Sequence, residues 1–394
     1  MKRQILSALI FIAAILVTGK LYAQQPEKVY SIVKEVHSFE WYQAQAKAWK
    51  SVLDREPKNG PGWISYYTAN RMARLTDRGR WEAARGDYFK NLSDIAGMVQ
   101  KAMPGTYESI YIKLYNNSVD GPDYEKDLFR AWELGGGPVE MLDEMVLWYE
   151  VKRNGEKRRE FSKRWFLSND IAPGILNYNY NVLQTLDDDA IILTAGDNDT
   201  FPLWVLQDAL GLKPGVAVLN IPLLAKDDYR KKIFGELQIP DIQLNAGDFK
   251  GQDSLSAVRK AILAQVMSKA KRPVYLALTL DTRYYLDGDI QKDLYLAGLA
   301  MRYQEKEFDN LGLIRRHFEN DYLLDYLKVN FAADPSAEVV AQMNTGYLPL
   351  LVKLCSHYRL SGEREKLEKV KQLMTAIAGK AGNAEDMKEY INCE

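Results

Sequence analysis

The sequence predicts an α/β plus all-α chain, in which a small parallel sheet is flanked by helical hairpins. Three short apolar runs, at residues 191–194, 216–220 and 274–280, have the length and composition of buried strands. Apolar residues instead recur every three or four positions over residues 29–186 and again from Leu350 onward, as they do in amphipathic helices. The strand-like runs and the helical spacing lie in separate parts of the chain, which indicates an α/β part and an all-helical part.

Helical patterns separate the three predicted strands, at residues 203–210, 227–237 and 254–270. This β-α-β-α-β order predicts a three-stranded, Rossmann-like parallel sheet with right-handed crossovers. The carboxyl ends of the strands then lie at one edge of the sheet. That edge is where open α/β sheets bind their ligands.

A chain of 394 residues is long enough for several domains. We assign residues 1–23 to a signal peptide, 24–186 to a helical-repeat domain, 187–330 to the α/β domain and 331–394 to C-terminal helical hairpins. The helical-repeat domain resembles tetratricopeptide repeats, because Trp49, Pro57 and Trp63 have the spacing of that motif. Its many aromatic residues could line a peptide or carbohydrate groove, although packing between helices accounts for each of them.

The first residues have the three parts of a secretory signal. Lys2 and Arg3 are basic, residues 5–17 are apolar, and Ala23 provides a small residue for cleavage. We therefore expect a periplasmic or otherwise extracytoplasmic protein with no further membrane-spanning segment. An uncleaved anchor is the alternative, but the apolar run is short for a membrane span.

The formal net charge is −1, and residues 1–23 include three of the basic residues. A chain with this balance is not expected to bind nucleic acid. The densest basic run, at residues 152–164, could contact an anionic membrane or polymer. Glu156 and Glu160 interrupt it, which favours an ordinary solvated helix. The two cysteines, Cys355 and Cys393, are too few for a disulfide framework, although they could pair with each other.

The most distinctive polar stretch is Gly-Asp-Asn-Asp-Thr at residues 196–200, named here the GDNDT loop, which follows the first predicted strand. Gly196 lets the backbone turn sharply, Asp199 or Thr200 can cap the next helix, and Pro202 fits the first turn of that helix. A loop between a strand end and a helix start is a predicted ligand site. The candidate ligand-binding residues at this edge are Gly196, Asp197, Asn198, Asp199, Thr200, Trp204, Asn220, Asp281, Arg283 and Tyr284.

Several roles are open for the loop. Asp197 and Asp199 have the D-x-D spacing that can hold a divalent cation, and with Asp281 they would be the catalytic carboxylates of an enzyme. Carboxylates at this position repel a bare phosphate but suit a cation, a sugar hydroxyl or a basic peptide group. In the structural alternative Asp199 caps the helix, Asn198 supports the turn and Asp197 accepts backbone amides. No cofactor is predicted beyond such a cation, because the signatures of common enzyme classes are absent from the sequence.

Phe201 and Trp204 lie three positions apart at the start of the helix that follows the loop, so they share one side of it. They could line the ligand site, since an aromatic face beside carboxylates suits a sugar ring or a cationic group. Alternatively they anchor the helix on the sheet. The apolar stretch around them favours anchoring.

The loop also carries a family resemblance. Residues 194–204, with Leu206 and Gln207, are similar to a segment in the soluble C-terminal region of bacterial protein O-mannosyltransferase-like membrane proteins. Later blocks follow in the order found in that family, at residues 272–275, 297–300 and 343–344. The resemblance implies a shared extracytoplasmic accessory domain. The membrane part of the family, which would carry glycosyl transfer, has no counterpart in this sequence.

Two functions are expected from these observations. The first is a non-catalytic binding or scaffold protein that recognises a protein or glycan partner in the cell envelope. The second is a carboxylate- or metal-dependent enzyme that acts on glycans or phosphoesters through the GDNDT loop. The lack of the usual catalytic motifs favours the first.

Overall fold

The computed structural model describes residues 25–77, 79, 85–117, 119, 121–242, 254–280, 288–329 and 333–392. The expected signal peptide and Cys393 lie outside these residues, as do Asp281, Arg283 and Tyr284 of the candidate site. The chain forms two compact units. The first comprises the chain up to Ile32 together with His37–Gly135, and the second comprises Val33–Val36 and Gly136–Glu394. The finer division at residues 186 and 330 stays a prediction.

The first unit is built from helices. Its described helices are α1 (Phe39–Leu53), α2 (Gly60–Thr76), α3 (Arg85–Ala102), α4 (Tyr107–Asn116) and α5 (Tyr124–Leu134). Asn59 starts α2 by accepting the backbone N–H of Gly62 at 2.9 Å. Trp63 from α2 packs in one core with Ile95 of α3 and Ile112 of α4. The helical content predicted here is confirmed, and Trp63, an aromatic residue of the repeat pattern, lies in the core.

The second unit contains helices before, within and after its sheet. These are α6 (Leu142–Val151), α7 (Gly155–Ser168), α8 (Pro173–Thr185), α9 (Phe201–Leu210), α10 (Ile221–Leu224), α11 (Asp227–Glu236), α12 (Ser254–Lys269), α13 (Gly288–Gln291), α14 (Asn310–Arg316), α15 (Ala337–Asn344), α16 (Leu348–Ser361), α17 (Arg364–Lys380) and α18 (Lys388–Asn392). Helix α7 packs against α9, and α16 packs against α17 as a hairpin.

The sheet of the second unit is mixed and has five strands in the order β2-β1-β3-β5-β4. The strands are β1 (Ile191–Thr194), β2 (Ala217–Asn220), β3 (Val274–Ala277), β4 (Leu294–Leu296) and β5 (Ala300–Tyr303). Strands β2, β1 and β3 pair in parallel, with Ile191 opposite both Ala217 and Val274. Strand β5 pairs antiparallel with β3 and with β4. Thr194 and Asn220 therefore end neighbouring parallel strands at the same level.

The sheet is larger than the three parallel strands expected from the sequence, because β4 and β5 add an antiparallel hairpin beside β3. A tight turn joins these two strands at Gly298, whose φ is +133°. The backbone N–H of Leu299 donates to the hydroxyls of Thr185 and Tyr322, both at 3.2 Å. Contacts distant in sequence thus fix this hairpin, and its strands are too short to give a period of their own.

The C-terminal hairpin buries Cys355 completely, together with Leu350, Leu351 and Leu354. The carbonyl of Ile391 lies 4.0 Å from the Cys355 sulfur, so α18 brings the end of the described chain next to this residue. Across the described residues, we find no helix that is both long and apolar enough to cross a membrane.

Candidate functional site

The Asp199 carboxylate holds the GDNDT loop from inside. It accepts the backbone N–H of Gly196 at 2.8 Å and that of Ala195 at 3.4 Å. The hydroxyl of Thr279, just beyond β3, donates to Oδ2, which also accepts the Ala195 N–H, and the hydroxyl of Thr200 lies 3.2 Å from Oδ1. Only 5% of Asp199 is exposed. This carboxylate therefore ties the end of β1 to the region that follows β3.

Asp199 and Thr200 do not cap helix α9 as the sequence suggested. Thr200 is the residue before the helix, but its side chain accepts no helix amide. The backbone N–H groups of Thr200 and Phe201 donate instead to the carbonyl of Asp197, at 3.3 and 3.0 Å. The Asp199 side chain turns back toward the strand because Ala195 and Gly196 offer it two free amides.

Burial raises the pKa of Asp199 above its ordinary value. Hydrogen bonds from Thr279, Ala195 and Gly196 act in the opposite direction, because they stabilise the ionised form. Burial has the larger effect. The group is thus an internal hydrogen-bond acceptor with little access to solvent.

The Thr200 hydroxyl links the two neighbouring strand ends. It donates to the carbonyl of Gly196 at 2.6 Å and lies 2.7 Å from the Thr194 hydroxyl. The side-chain amide of Asn220 donates to it at 3.0 Å, while the carbonyl oxygen of that amide accepts the N–H of Leu223 and starts α10. Thr200 and Asn220 are both buried. Their hydrogen bonds connect the ends of β1 and β2 with the loop.

Asn198 fixes the outer side of the loop. Its side-chain amide donates to the carbonyl of Val33 at 2.8 Å. Its own carbonyl accepts the side chain of Asn179, on α8, also at 2.8 Å. The expectation that Asn198 supports the turn is consistent with these two contacts, which the sequence could not have specified.

Asp197 is the exposed carboxylate of the loop. It lies within electrostatic range of Asp143, at the start of α6, as does Asp170, just before α8. Desolvation raises the pKa of Asp143 well above its ordinary value, and the charges of Glu144, Asp197 and Asp170 add to this effect. We call Asp143, Asp170 and Asp197 the acidic surface. No local motif places these three residues together.

Lys34 lies beside this surface. It forms an ion pair with Asp170, which also accepts the indole N–H of Trp165 at 3.3 Å. In the part of the chain that the structure describes, no three His, Cys, Asp or Glu side chains are arranged to hold a metal ion. The D-x-D pair of the loop is divided, because Asp199 points inward and Asp197 outward.

Trp204 lies in the protein interior, with 1% of its surface exposed. Its indole N–H donates to the carbonyl of Val218 on β2 at 3.3 Å. The Phe201 ring packs edge-on against both Trp204 and Trp165. This placement is the one expected if Phe201 and Trp204 anchor α9 on the sheet. It leaves Trp204 facing strand β2.

The structure thus brings together Gly196, Asp197, Asn198, Asp199, Thr200 and Asn220 of the predicted site residues. A family model described as TMEM260-associated domain 2 matches residues 175–238. No curated protein and no solved structure matches this chain.

The matched segment runs from α8 to just beyond α11. It includes β1, the whole GDNDT loop and β2, so the similarity covers the elements that Asp199, Thr200 and Asn220 tie together. The chain is therefore similar, over well under half of its length, to a domain associated with a membrane protein. Helices α1–α7 and strands β3–β5 lie outside the match.

Proposed function

We propose that this chain is a non-catalytic binding module of the cell envelope that recognises a glycan or protein partner through its acidic surface. The observation that carries the proposal is the exposure of Asp197 in the GDNDT loop, close to Asp143. Asp199, Thr200 and Asn198 are occupied by contacts within the protein. Asp197 is held at the exposed side of the same rigid loop.

The chemistry of the acidic surface selects the kind of partner. Ionised carboxylates accept hydrogen bonds from sugar hydroxyls and from lysine or arginine side chains. Asp197 carries exposed negative charge close to Asp143 and to the ion pair of Asp170 with Lys34, which disfavours phosphate and sulfate groups. A neutral glycan or a basic peptide segment therefore fits better than an anionic ligand.

One observation favours the alternative function, a carboxylate-dependent enzyme acting on glycans. Asp143 has a raised pKa and lies near the exposed Asp197, and a protonated carboxyl beside an ionised one is the pairing that glycoside hydrolysis uses. Against this, Asp199 is buried and saturated with hydrogen bonds. A catalytic D-x-D pair would need both carboxylates at the substrate.

We further propose that the matched domain shares its origin with the soluble C-terminal region of O-mannosyltransferase-like membrane proteins, and that it works outside the cytoplasm. The match to a membrane-protein-associated domain supports this relationship. N-terminal sequencing of the envelope-purified protein should give Gln24. If Cys355 and Cys393 pair in an oxidising compartment, intact mass after alkylation under denaturing, non-reducing conditions should show no modified cysteine. An N-terminus at Met1, or an alkylated Cys355, would contradict this assignment.

The binding proposal is tested by screening the purified protein on arrays of neutral glycans and lysine- or arginine-rich peptides. Asp197→Asn should remove the signals that the wild type gives. Asp228→Asn is the matched control, because Asp228 is also an exposed aspartate of the second unit. The proposal fails if the wild type binds nothing on either array, or if both variants behave alike. Release of sugar that stops in Asp197→Asn would support the enzyme instead.

A further inference from the structure

A second candidate site lies away from the GDNDT loop, in a cavity of about 660 Å³. Its walls come from helices α7, α9 and α11 and from strand β2. We call it the basic cavity, because five cationic side chains line it: Arg153, Arg158, Arg159, Lys163 and Arg272. Three carboxylates also line it, from Glu150, Asp208 and Glu236. The volume is in the range of small-molecule sites, about 300–1,000 Å³.

The three carboxylates of the cavity wall are already paired with two arginines. Arg158 binds Asp208 through two parallel hydrogen bonds of 2.9 and 3.0 Å and also pairs with Glu150. Arg153 bridges Glu150 and Glu236. Glu150 is 2% exposed on its side chain. This network forms a rigid, internally paired wall in which two arginines face three carboxylates.

The other three cations have no such compensation. Arg159 and Lys163 are exposed and make no ion pair with any described residue. They lie four positions apart on α7, so they occupy the same face of the helix, where like charges repel. Arg272 donates to the carbonyls of Asp189, Ala190 and Gly215, none of which cancels its charge. The cavity therefore has an excess of positive charge, because five cationic side chains and three carboxylates line it.

Strand β2 is at the edge of the sheet, so an extended peptide is the obvious competing occupant. Two carbonyls on this edge are already used. Val216 accepts the side-chain amide of Gln207 at 2.9 Å, and Val218 accepts the Trp204 indole. An added strand would have to break these contacts to form a ladder. A compact ligand that contacts side chains does not.

We propose that the basic cavity binds a compact anion carrying two or more phosphate or carboxylate groups, held mainly by Arg159, Lys163 and Arg272. Several closely spaced negative groups match three cations that line one cavity, and charge-assisted hydrogen bonds to such groups are strong. This site differs in charge and place from the acidic surface. It does not depend on the partner proposed for the GDNDT loop.

The test is isothermal titration calorimetry of the full-length protein with inorganic pyrophosphate and, separately, citrate. The informative variant is Arg159→Gln with Lys163→Gln. The matched control is Lys157→Gln with Arg164→Gln. It also removes one lysine and one arginine from α7, but at positions outside the cavity. Melting temperatures of both variants show that each is folded.

We expect binding of at least one anion to weaken about tenfold or more in the Arg159 and Lys163 variant and to change little in the control. Which of the two anions binds identifies the preferred group. Asp197→Asn should leave this binding unchanged, which separates it from the proposed function. Equal losses in both variants would show general attraction to a basic helix and overturn the proposal. So would failure of the wild type to bind either anion.

Discussion

Gly196 donates its backbone N–H to the Asp199 carboxylate across 2.8 Å, three residues further along the chain. This contact closes the turn that leads from β1 to α9. It also directs the Asp199 carboxylate into the protein, away from the solvent-exposed side where a ligand would bind. In the GDNDT loop, Asp197 is therefore exposed to solvent and Asp199 is buried.

Asp199→Ala should lower the free energy of unfolding by about 2–4 kcal/mol, because it removes the buried acceptor that three hydrogen bonds share. The donors are Ala195, Gly196 and Thr279. Asp197→Ala, at the exposed position of the same loop, should change it by no more than about 0.5 kcal/mol. Urea denaturation of both variants measures this. Equal effects would show that Asp199 does not hold the loop.

Asp143 should make stability depend on pH. Because its pKa is raised in the folded state above the ordinary value of 3.8, the folded chain binds more protons than the unfolded chain. This contribution favours folding at low pH and is lost as the pH rises from 3.8 through the raised pKa. Asp143→Asn lacks this titration, so its stability relative to the wild type should increase between acidic and neutral pH.

Urea denaturation at a series of pH values checks this dependence. Asp228→Asn serves as the control, since that aspartate is exposed and lies outside the acidic surface. The control should show a constant difference from the wild type. If the difference for Asp143→Asn is equally constant, Asp143 does not lie in the desolvated, negative environment described for the acidic surface.

Trp204→Ala should cost about 3–5 kcal/mol of stability, as expected when a large buried side chain is truncated. The variant loses the packing with Phe201 and the hydrogen bond to Val218. Leu167→Ala, on α7 and 75% exposed, should have a small effect. Thermal or urea unfolding distinguishes the two. A stable Trp204→Ala protein that has lost glycan or peptide binding would instead place Trp204 in a ligand site.

Gly298→Ala should destabilise the second unit more than Gly362→Ala. Both glycines have positive φ, +133° and +76°, so each substitution carries a backbone penalty. Only at Gly298 would the new methyl group collide with Thr185 and Tyr322. Gly362 has open space around it. Matching losses in the two variants would mean that the β4–β5 turn is not as closely packed as described.

Part of this fold was readable from local sequence. Residues Ile191–Thr194 form a continuous apolar run that ends shortly before a glycine, and both the strand and the turn follow from that pattern. The hairpin of β4 and β5 could not be found in this way. Its turn is set by Thr185 and Tyr322, which are far from Gly298 in sequence.

The candidate site was also only partly predictable. The loop and Asn220 meet because parallel strands end together, which a β-α-β pattern implies. Asp143 and Asp170 join Asp197 through packing of helices that no motif connects. The spacing of Phe201 and Trp204 shows that they share a helix side, but it cannot tell whether that side faces the loop or strand β2.

The proposed binding of a glycan or peptide depends most on Asp197, the exposed carboxylate of the GDNDT loop. The direct measurement is the dissociation constant of an array-selected glycan or peptide for the wild type, Asp197→Asn and Asp228→Asn, by isothermal titration calorimetry. We predict a loss of affinity of about tenfold or more for Asp197→Asn, because a charge-assisted hydrogen bond is removed, and no change for Asp228→Asn. Equal affinities in all three proteins would contradict the account.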